Sequence, residues 1–482
     1  MKTIVEQLDP IFKPESIAVI GASNNPAKWG FRMLNRPLST GYRGTIYAVN
    51  PREDKINNLP VYRSVLDIPG AVDLAVITVP APQVPGIMKE CVRKGVKGAV
   101  LITAGFAEVG REGKILEDEV VRAAQEGGIR FVGPNGMGIW SAAGRLNLSF
   151  DQAPLSGPIA FVSQSGTFGG SLSEIAGTKG YGLSKFISIG NQADLAAADY
   201  LEYLDADEQT KVVVFYMEGF KDGARFIDLA KEVVKKKPVV IFKAGRTAPG
   251  SRATQSHTAS LAGSDEIFES ICRQAGLIRT QEALHSFDVA EALASQPLPG
   301  GRRVAILGSG GQGVVTADAC ASLGLEVPEL DSDTVMSLRE GMPPHAPPPR
   351  NPVDFAGSFR TTMEEAAVVE KLLSRDYIDG VISNAPLNPA AWSAMLGFVG
   401  MPKPLLDMTK AAIEGAEYFS SLPSKYGKPI ITIRFRRFAH DMVLDILRGA
   451  GIPVYDTPEE CARAMHALVR YAEIRRRSVS RA

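Results

Sequence analysis

Short apolar, β-branched runs alternate with longer amphipathic or charged stretches along almost the whole chain. From Ser16 the runs are SIAVI, TIYAV, DLAVITV, GAVLI and IRFVG. A run of four to eight apolar residues bounded by turn residues predicts a buried strand, and the stretches between are long enough to be crossover helices. This is the pattern of a parallel sheet; GPNGMG breaks it, so the first domain should end between Asn135 and Phe150. A second series, GPIAFV, KFISIG, KVVVFYM and PVVIFKAG, predicts another sheet before the linker-like SQPLPGG. RRVAILGSGGQG, DGVISNAP, KPIITI and GIPVY form a third, while PPHAPPPRNP must be an extended loop because successive prolines remove donors and fix φ. The expectation is an α/β chain of three tandem doubly wound parallel-sheet domains, divided as 1–145, 146–298 and 299–482.

In each series an apolar run ends in a Gly/Ser-rich turn from which a helix starts: AVIGAS, AFVSQSGTFGG and AILGSGGQG. Such turns let backbone approach a phosphate, and the helix start aims unpaired N–H groups at it. The first, Gly21, Ala22 and Ser23 with Gly30 further on, lacks the GxGxxG spacing of nicotinamide enzymes. It suits a pyrophosphate-bearing ligand without the nicotinamide half, with Lys28 or Arg52 as charge partner, or else a plain strand-to-helix connection. Other strand ends of this series carry Asn50 and Pro51, Val79 and Pro80, Thr103, Ala104 and Gly105, and Asn135, which together would shape a flat slot for an adenine or pantetheine arm, or only punctuate loops. The second turn gathers Ser163, Gln164, Ser165, Gly166 and Thr167 into a cradle for a phosphate, or a serine helix cap with no ligand.

His257 stands in GRTAPGSRATQSHTASLAGSD, where small and hydroxyl residues predict a loop that presents the imidazole. Imidazole near neutrality can attack phosphorus, and Glu218, at the end of VVVFYMEG, could orient one ring nitrogen and leave the other free. A turn contact is the plainer role for that carboxylate. His285, His345, His440 and His466 lack such a setting and read as structural or surface residues. Gln312 and Asp354, in GSGGQG and NPVDFAG, read as packing loops or a further phosphate site.

Charge and cysteine content narrow the partners. Lys plus Arg and Asp plus Glu both number 53, so no overall basic field holds the chain to nucleic acid or an anionic membrane. Arg475, Arg476, Arg477 and Arg481 read as a solvated helix end. Cys91, Cys272, Cys320 and Cys461 form no metal-ligand spacing and read as buried thiols, and no metal is expected on this chain. Glu6 and Asp9 interrupt any secretory apolar core and no run reaches spanning length, so a cytoplasmic location is expected.

IGAS, the VNP and TVP turns, ITAGFAE, GPNGMG, VSQSG, ISIGNQ, SHTASLAGSD and NPVDFAG occur in this order over nearly the whole chain. Together they resemble the alpha part of ADP-forming acetyl-CoA (acyl-CoA) synthetases, relatives of succinyl-CoA synthetase. The resemblance implies a Rossmann-like CoA-binding domain followed by two flavodoxin-like domains. It also implies a reversible reaction in which acyl-CoA and phosphate give acyl phosphate and CoA, the phosphoryl group passes to His257, and ADP receives it. Coenzyme A would then lie along Gly21, Ala22, Ser23, Lys28, Asn50, Pro51, Val79, Pro80, Thr103, Ala104, Gly105 and Asn135. Residues Ser163 to Thr167 and Glu218 would surround the phosphohistidine. No ATP-grasp portion is evident in the sequence, so ADP, ATP and Mg²⁺ are expected on a separate ATP-grasp beta subunit in a hetero-oligomer, for which α2β2 is one arrangement. The stretch 386–421 does not match the family pattern and leaves the acyl group open. A non-catalytic CoA-binding regulatory protein would keep the first-series turns without needing SHTASLAGSD. An NAD-dependent dehydrogenase is weakened by the missing GxGxxG, and an acetyltransferase on this scaffold would need a further domain.

Overall fold

The computed structural model describes residues 2–258, 265–356, 361–386, 403–434 and 441–479, which fall into two compact units, Met1–Phe287 and Asp288–Ala482. The architecture is α/β, with helices on sheets that are parallel except at their edges.

The first unit holds two seven-stranded sheets. One contains β1 (Ser16–Ile20), β2 (Thr45–Val49), β3 (Lys55–Ile56), β4 (Leu59–Tyr62), β5 (Leu74–Ile77), β6 (Gly98–Leu101) and β7 (Arg130–Val132), in the spatial order 3-4-2-1-5-6-7. Every residue of β1, β5 and β6 is buried, which is why these strands are continuous apolar runs: helices cover both faces of a parallel sheet. The crossover helix Val84–Lys94 illustrates the local signals. It has Pro85 in its first turn, Arg93 and Lys94 in its last, and stops at the left-handed Gly95.

The second sheet contains β8 (Ile139–Ser141), β9 (Leu146–Asn147), β10 (Ser156–Ser163), β11 (Leu183–Ser188), β12 (Val212–Met217), β13 (Val239–Lys243) and β14 (Ile278–Arg279), in the order 14-13-12-10-11-8-9. In both sheets the chain winds one way from a central strand, then returns to wind the other way. This creates a switch point beside β1 in the first sheet and beside β10 in the second, where crevices open at the carboxyl ends of the strands.

The all-parallel expectation needs correction at the edges. β3 runs antiparallel to β4, β8 to β11, and β9 to β8. For β3 and β4 the reason is connection length: Asn57 and Asn58, with φ of 47° and 62°, make a two-residue turn that can only join antiparallel strands. β8 and β9 leave the first series and add to the second sheet, so the chain passes from one sheet to the other within residues 133–139.

In the second unit, β15 (Val304–Leu307), β16 (Gly380–Asn384), β17 (Ile430–Ile433) and β18 (Val454–Tyr455) form a parallel sheet in sequential order. Its core joins Leu307, Val353 and Val381 to Leu372, Phe419 and Leu447 of the covering helices. Asp354 accepts from the backbone of Gly310 and Ala356, and Gln312 donates to Asn384, so they tie the turn after β15 to the NPVDFAG loop and to the end of β16. His466 is held below the usual histidine range by burial and by Arg470. His440 and much of 386–421 lie outside the described residues. All four cysteines are free and buried, and burial pushes Cys91, Cys272 and Cys320 up to about 12. Among the described residues no helix is long and apolar enough to cross a membrane.

Two local features of the first unit have measurable consequences. Lys185, in the middle of the second sheet, is 0% exposed, and its Nζ lies 2.6 Å from Asp207 Oδ2. Burial lowers the Lys185 pKa, whereas at Asp207 the burial penalty is outweighed by hydrogen bonds from Lys185 and Thr210, which hold the carboxyl below its ordinary range. Removing one member of such a pair leaves an uncompensated buried charge, so Lys185→Met is expected to cost about 3–5 kcal/mol. Combining it with Asp207→Leu recovers most of that loss, as read by denaturant unfolding of the three proteins. At the first switch point, a Cβ on Gly30 would lie 1.8 Å from the Gly21 carbonyl oxygen. Gly30→Ala therefore forces the helix Trp29–Ser39 off the β1 turn and is expected to cost about 1–3 kcal/mol, measured as a lower thermal midpoint.

Candidate active site

A cavity of about 480 Å³ opens where the carboxyl ends of the two seven-stranded sheets meet. One wall comes from the turns after β5 and β6, with Thr78, Val79, Pro80, Ile102, Thr103 and Ala104. The opposite wall is Gln164, Ser165, Gly166 and Thr167 after β10, with Gly190 and Asn191 after β11. Asn135, Gly136 and Met137 close one side and Trp29 stands at another.

The walls are fixed by hydrogen bonds between strand ends. Thr78 Oγ1 donates to the Ile20 carbonyl at 3.0 Å and Thr103 Oγ1 to that of Val79 at 2.7 Å. The backbone of Asn135, left-handed at φ 60°, donates to Thr103 at 2.9 Å. Across the cavity the Asn191 N–H donates to the Pro134 carbonyl at 2.9 Å, and Met137 N–H to Ser188 Oγ at 2.8 Å. Gly190, at φ 51°, allows this approach: a Cβ there would sit 2.1 Å from the Pro134 oxygen.

The cradle after β10 is built by its own side chains. Ser163 is fully buried and donates to the Ser165 carbonyl at 2.6 Å, which tightens the turn. Ser165 caps the helix Gly166–Thr178, accepting from Phe168 N at 3.4 Å. The N–H groups of the first helical turn are the remaining donors for an anion at this wall. Gln164 is buried and its Oε1 accepts from the backbone of Glu218 at 2.9 Å and Gly219 at 3.1 Å. The carboxyl end of β12 is thereby tied to the cradle at the switch point of the second sheet. Glu218 is 5% exposed, and with burial its charge and hydrogen bond push the Tyr216 hydroxyl well above the ordinary tyrosine value. Lys243 ends the neighbouring strand opposite Met217, is 4% exposed, and has its pKa lowered by burial.

Of the residues singled out in the sequence, Val79, Pro80, Thr103, Ala104, Asn135, Gln164, Ser165, Gly166 and Thr167 line the cavity. Gly21, Ala22, Ser23, Asn50 and Pro51 do not, although they share the carboxyl edge of the same sheet: Asn50 Nδ2 donates to the Ala22 carbonyl at 2.8 Å, and its Oδ1 accepts from Arg52 N. Lys28 is exposed and precedes the helix Trp29–Ser39 without capping it. Gly105 lies just outside, its N–H donating to Glu108 Oε1 at 2.6 Å. Trp29, Met137, Gly190 and Asn191 were missed as site residues, although ISIGNQ carried an Asn after an apolar run and so offered a signal.

The expectation of a loop at His257 is corrected. The backbone from Ala248 to Thr258 is helical, and His257 is in its last turn. Thr247 accepts from Gly250 N at 3.2 Å and Pro249 occupies the first turn, a start signal that the run of small residues concealed. This helix packs against the short turn Ala107–Val109, which carries Glu108 at the cavity's edge. The His257 side chain and residues 259–264 lie outside the described residues.

Comparison with known proteins agrees with this geometry. The family described as "CoA binding domain" matches residues 15–141, and "Succinyl-CoA ligase like flavodoxin domain" matches residues 156–293. The chain is 40% identical over 467 residues to the acetate–CoA ligase [ADP-forming] II subunit alpha of Pyrococcus furiosus, covering 97% of this chain and 98% of that one. It is 37% identical over 485 residues to acetate–CoA ligase [ADP-forming] II of Archaeoglobus fulgidus, covering 98% of this chain and 68% of that longer one. Among solved structures, the Ca. Korarchaeum cryptofilum dinucleotide forming acetyl-coenzyme A synthetase 1, in complex with phosphate and ADP, aligns with a TM-score of 0.84 at 34% identity, covering 98% of each chain. Near-complete coverage at this identity, together with both domain matches, means that the chain belongs to the ADP-forming acetate–CoA ligase alpha-subunit family.

Proposed function

We propose that this chain is the CoA-binding, phosphohistidine-carrying subunit of an ADP-forming acyl-CoA synthetase. The observation that carries the reading is the cavity itself, in which a slot at the carboxyl edge of a CoA-binding sheet faces a helix N-terminus fitted for phosphate.

The chemistry runs in three transfers. A phosphate oxygen attacks the thioester carbonyl carbon, the C–S bond breaks, and CoA leaves as thiolate while acyl phosphate forms. An imidazole nitrogen of His257 then attacks phosphorus, and the acid leaves as carboxylate. Finally the terminal oxygen of ADP takes the phosphoryl group, giving ATP and freeing the imidazole. The reverse order activates the acid. Residues Ser163 to Thr167 would cradle the phosphoryl group, and Glu218 would accept from the second ring nitrogen, so that the phosphorylated ring is stabilised as a cation. Thr103, Ala104, Asn135, Val79 and Pro80 would take the pantetheine end of CoA. Gly21, Ala22, Ser23, Lys28, Asn50, Pro51 and Gly105 would serve its remainder along the same sheet edge.

ADP, ATP and Mg²⁺ belong in this reading to an ATP-grasp beta subunit, because the Pyrococcus relative is named as an alpha subunit. Transfer between two sites then requires the segment that carries His257 to move. Three domains, 1–145, 146–298 and 299–482, would divide the labour.

The test is phosphoryl labelling. Combined with its beta subunit and γ-labelled ATP, the wild-type chain is expected to gain acid-labile, alkali-stable phosphate that CoA with the cognate acid discharges. His257→Ala should carry none, and label persisting in that variant overturns the assignment. Glu218→Gln should still be labelled, but at a rate reduced by about 10²-fold or more, the scale of a lost acid–base or orienting group.

A further inference from the structure

Asn191 donates from one side-chain nitrogen to two carboxylates: Nδ2 lies 2.6 Å from Glu108 Oε2 and 3.1 Å from Glu117 Oε2. Both carboxylates are already acceptors elsewhere. Glu108 Oε1 takes the N–H groups of Gly105 and Phe106 at 2.6 and 3.2 Å, and Glu117, only 1% exposed, takes Lys114 Nζ and Ala107 N at 3.4 Å each. The end of the Asn191 amide that faces them must therefore be the NH₂, and its oxygen is fixed on the other side. There it accepts from Asn135 Nδ2 at 3.3 Å. The same logic orients Asn135: its nitrogen is committed to Asn191, and no donor among the described residues reaches its Oδ1. Both asparagines line the cavity beside Thr103 and Ala104.

An acceptor held this way selects for a ligand donor. The pantetheine arm of coenzyme A carries two secondary amides, each with an N–H; the adenine amino group and ribose hydroxyl are donors too, but the proposed function places the nucleotide end along the sheet edge at Gly21 and the arm in the cavity that Asn135 lines. We infer that Asn135 Oδ1 accepts a hydrogen bond from a pantetheine amide N–H, and that Glu108 and Glu117 are positioning residues that hold Asn135 in this orientation through Asn191. The inference rests on the CoA-binding reading above and assigns the residue that distinguishes the arm from the nucleotide.

Titration calorimetry on the full chain separates the two ends of the ligand, with CoA as one probe and adenosine 3′,5′-bisphosphate, which lacks the arm, as the other. Asn135→Gly removes the acceptor while suiting the left-handed backbone at this position. It is expected to weaken CoA about tenfold and leave the bisphosphate unchanged, the scale of one desolvated hydrogen bond. The double variant Glu108→Gln with Glu117→Gln leaves no carboxylate to hold the Asn191 NH₂, lets that amide turn over, and is expected to weaken CoA about threefold with the bisphosphate again unaffected. If Asn135→Gly binds CoA as tightly as wild type, the acceptor role is rejected. If the Glu108→Gln, Glu117→Gln double variant does, the positioning role is rejected. A folded variant that loses both ligands equally shows a structural effect and also overturns the inference. Should the double variant fail to fold by circular dichroism, Glu108→Gln alone, which removes the shorter of the two contacts, takes its place with the same criteria. Wild type binding neither probe would instead remove the CoA reading.

Discussion

The passage of residues 133–139 out of the first sheet and into the second is the constraint on which the site depends. These few residues are pinned to both sides. Asn135 is held by Thr103, while Pro134 and Gly138 accept from Asn191 and Ser188. Asp194 then binds Arg130 through both oxygens at 3.1 and 3.0 Å and accepts from Phe131 N, closing the loop after β11 onto β7. Burial raises the Asp194 pKa despite the favourable charge of Arg130, and the clamp is partly buried. Two switch points built on separate sheets thus become opposite walls of one cavity, with a spacing set by backbone contacts.

That constraint also explains what was readable in the chain. Each strand expected from SIAVI to GIPVY is present, because parallel strands covered on both faces are mostly apolar, and a run of that kind has few other uses. The edges were not readable in the same way. β3, β8, β9 and β14 have two or three residues each, too few for a periodic signal, although Asn57 and Asn58 did announce a tight turn. The helix Ala248–Thr258 was hidden for a different reason: its residues have modest helix propensity and no apolar face, and it forms through its capped start and its packing on Ala107–Val109.

The site residues divide along similar lines. Glycine and hydroxyl turns after β10 could be identified because the cradle is contiguous in sequence, so local chemistry and local geometry coincide. Asn191 and Glu117 belong to elements 74 residues apart, and only the fold reveals that one amide serves carboxylates on both Glu108 and Glu117. The Gly21 turn had the opposite fate. It is legible as a phosphate-binding turn, yet the described cavity is displaced along the sheet toward β5, β6 and β7. A ligand long enough to use both would have to run along the carboxyl edge, which is the shape expected of a nucleotide with an extended arm.

The charge of the cavity carries the last step. Among the described residues its lining consists of Thr, Asn, Gln, Ser, Gly and apolar side chains, none of them ionisable. Carboxylates stand behind the wall at Glu108, Glu117 and Glu218, each taking backbone or amide donors or held in a buried strand end. A phosphoryl group here would meet neutral dipoles and the N-terminus of a helix, which are oriented without reorganisation but offer less than a full opposing charge. Fixed lysines or arginines in the lining would bind the group more tightly in every state, and uniform tightness speeds no transfer. With a neutral cradle, the charge on the imidazole ring of the proposed phosphohistidine would become decisive. In the proposed mechanism a phosphorylated, cationic ring would be favoured by Glu218 and its phosphoryl group by the helix terminus, and much of that attraction would go when the phosphoryl group leaves. A site of this kind can take up a phosphoryl group and release it with similar ease, as a reversible ligase requires.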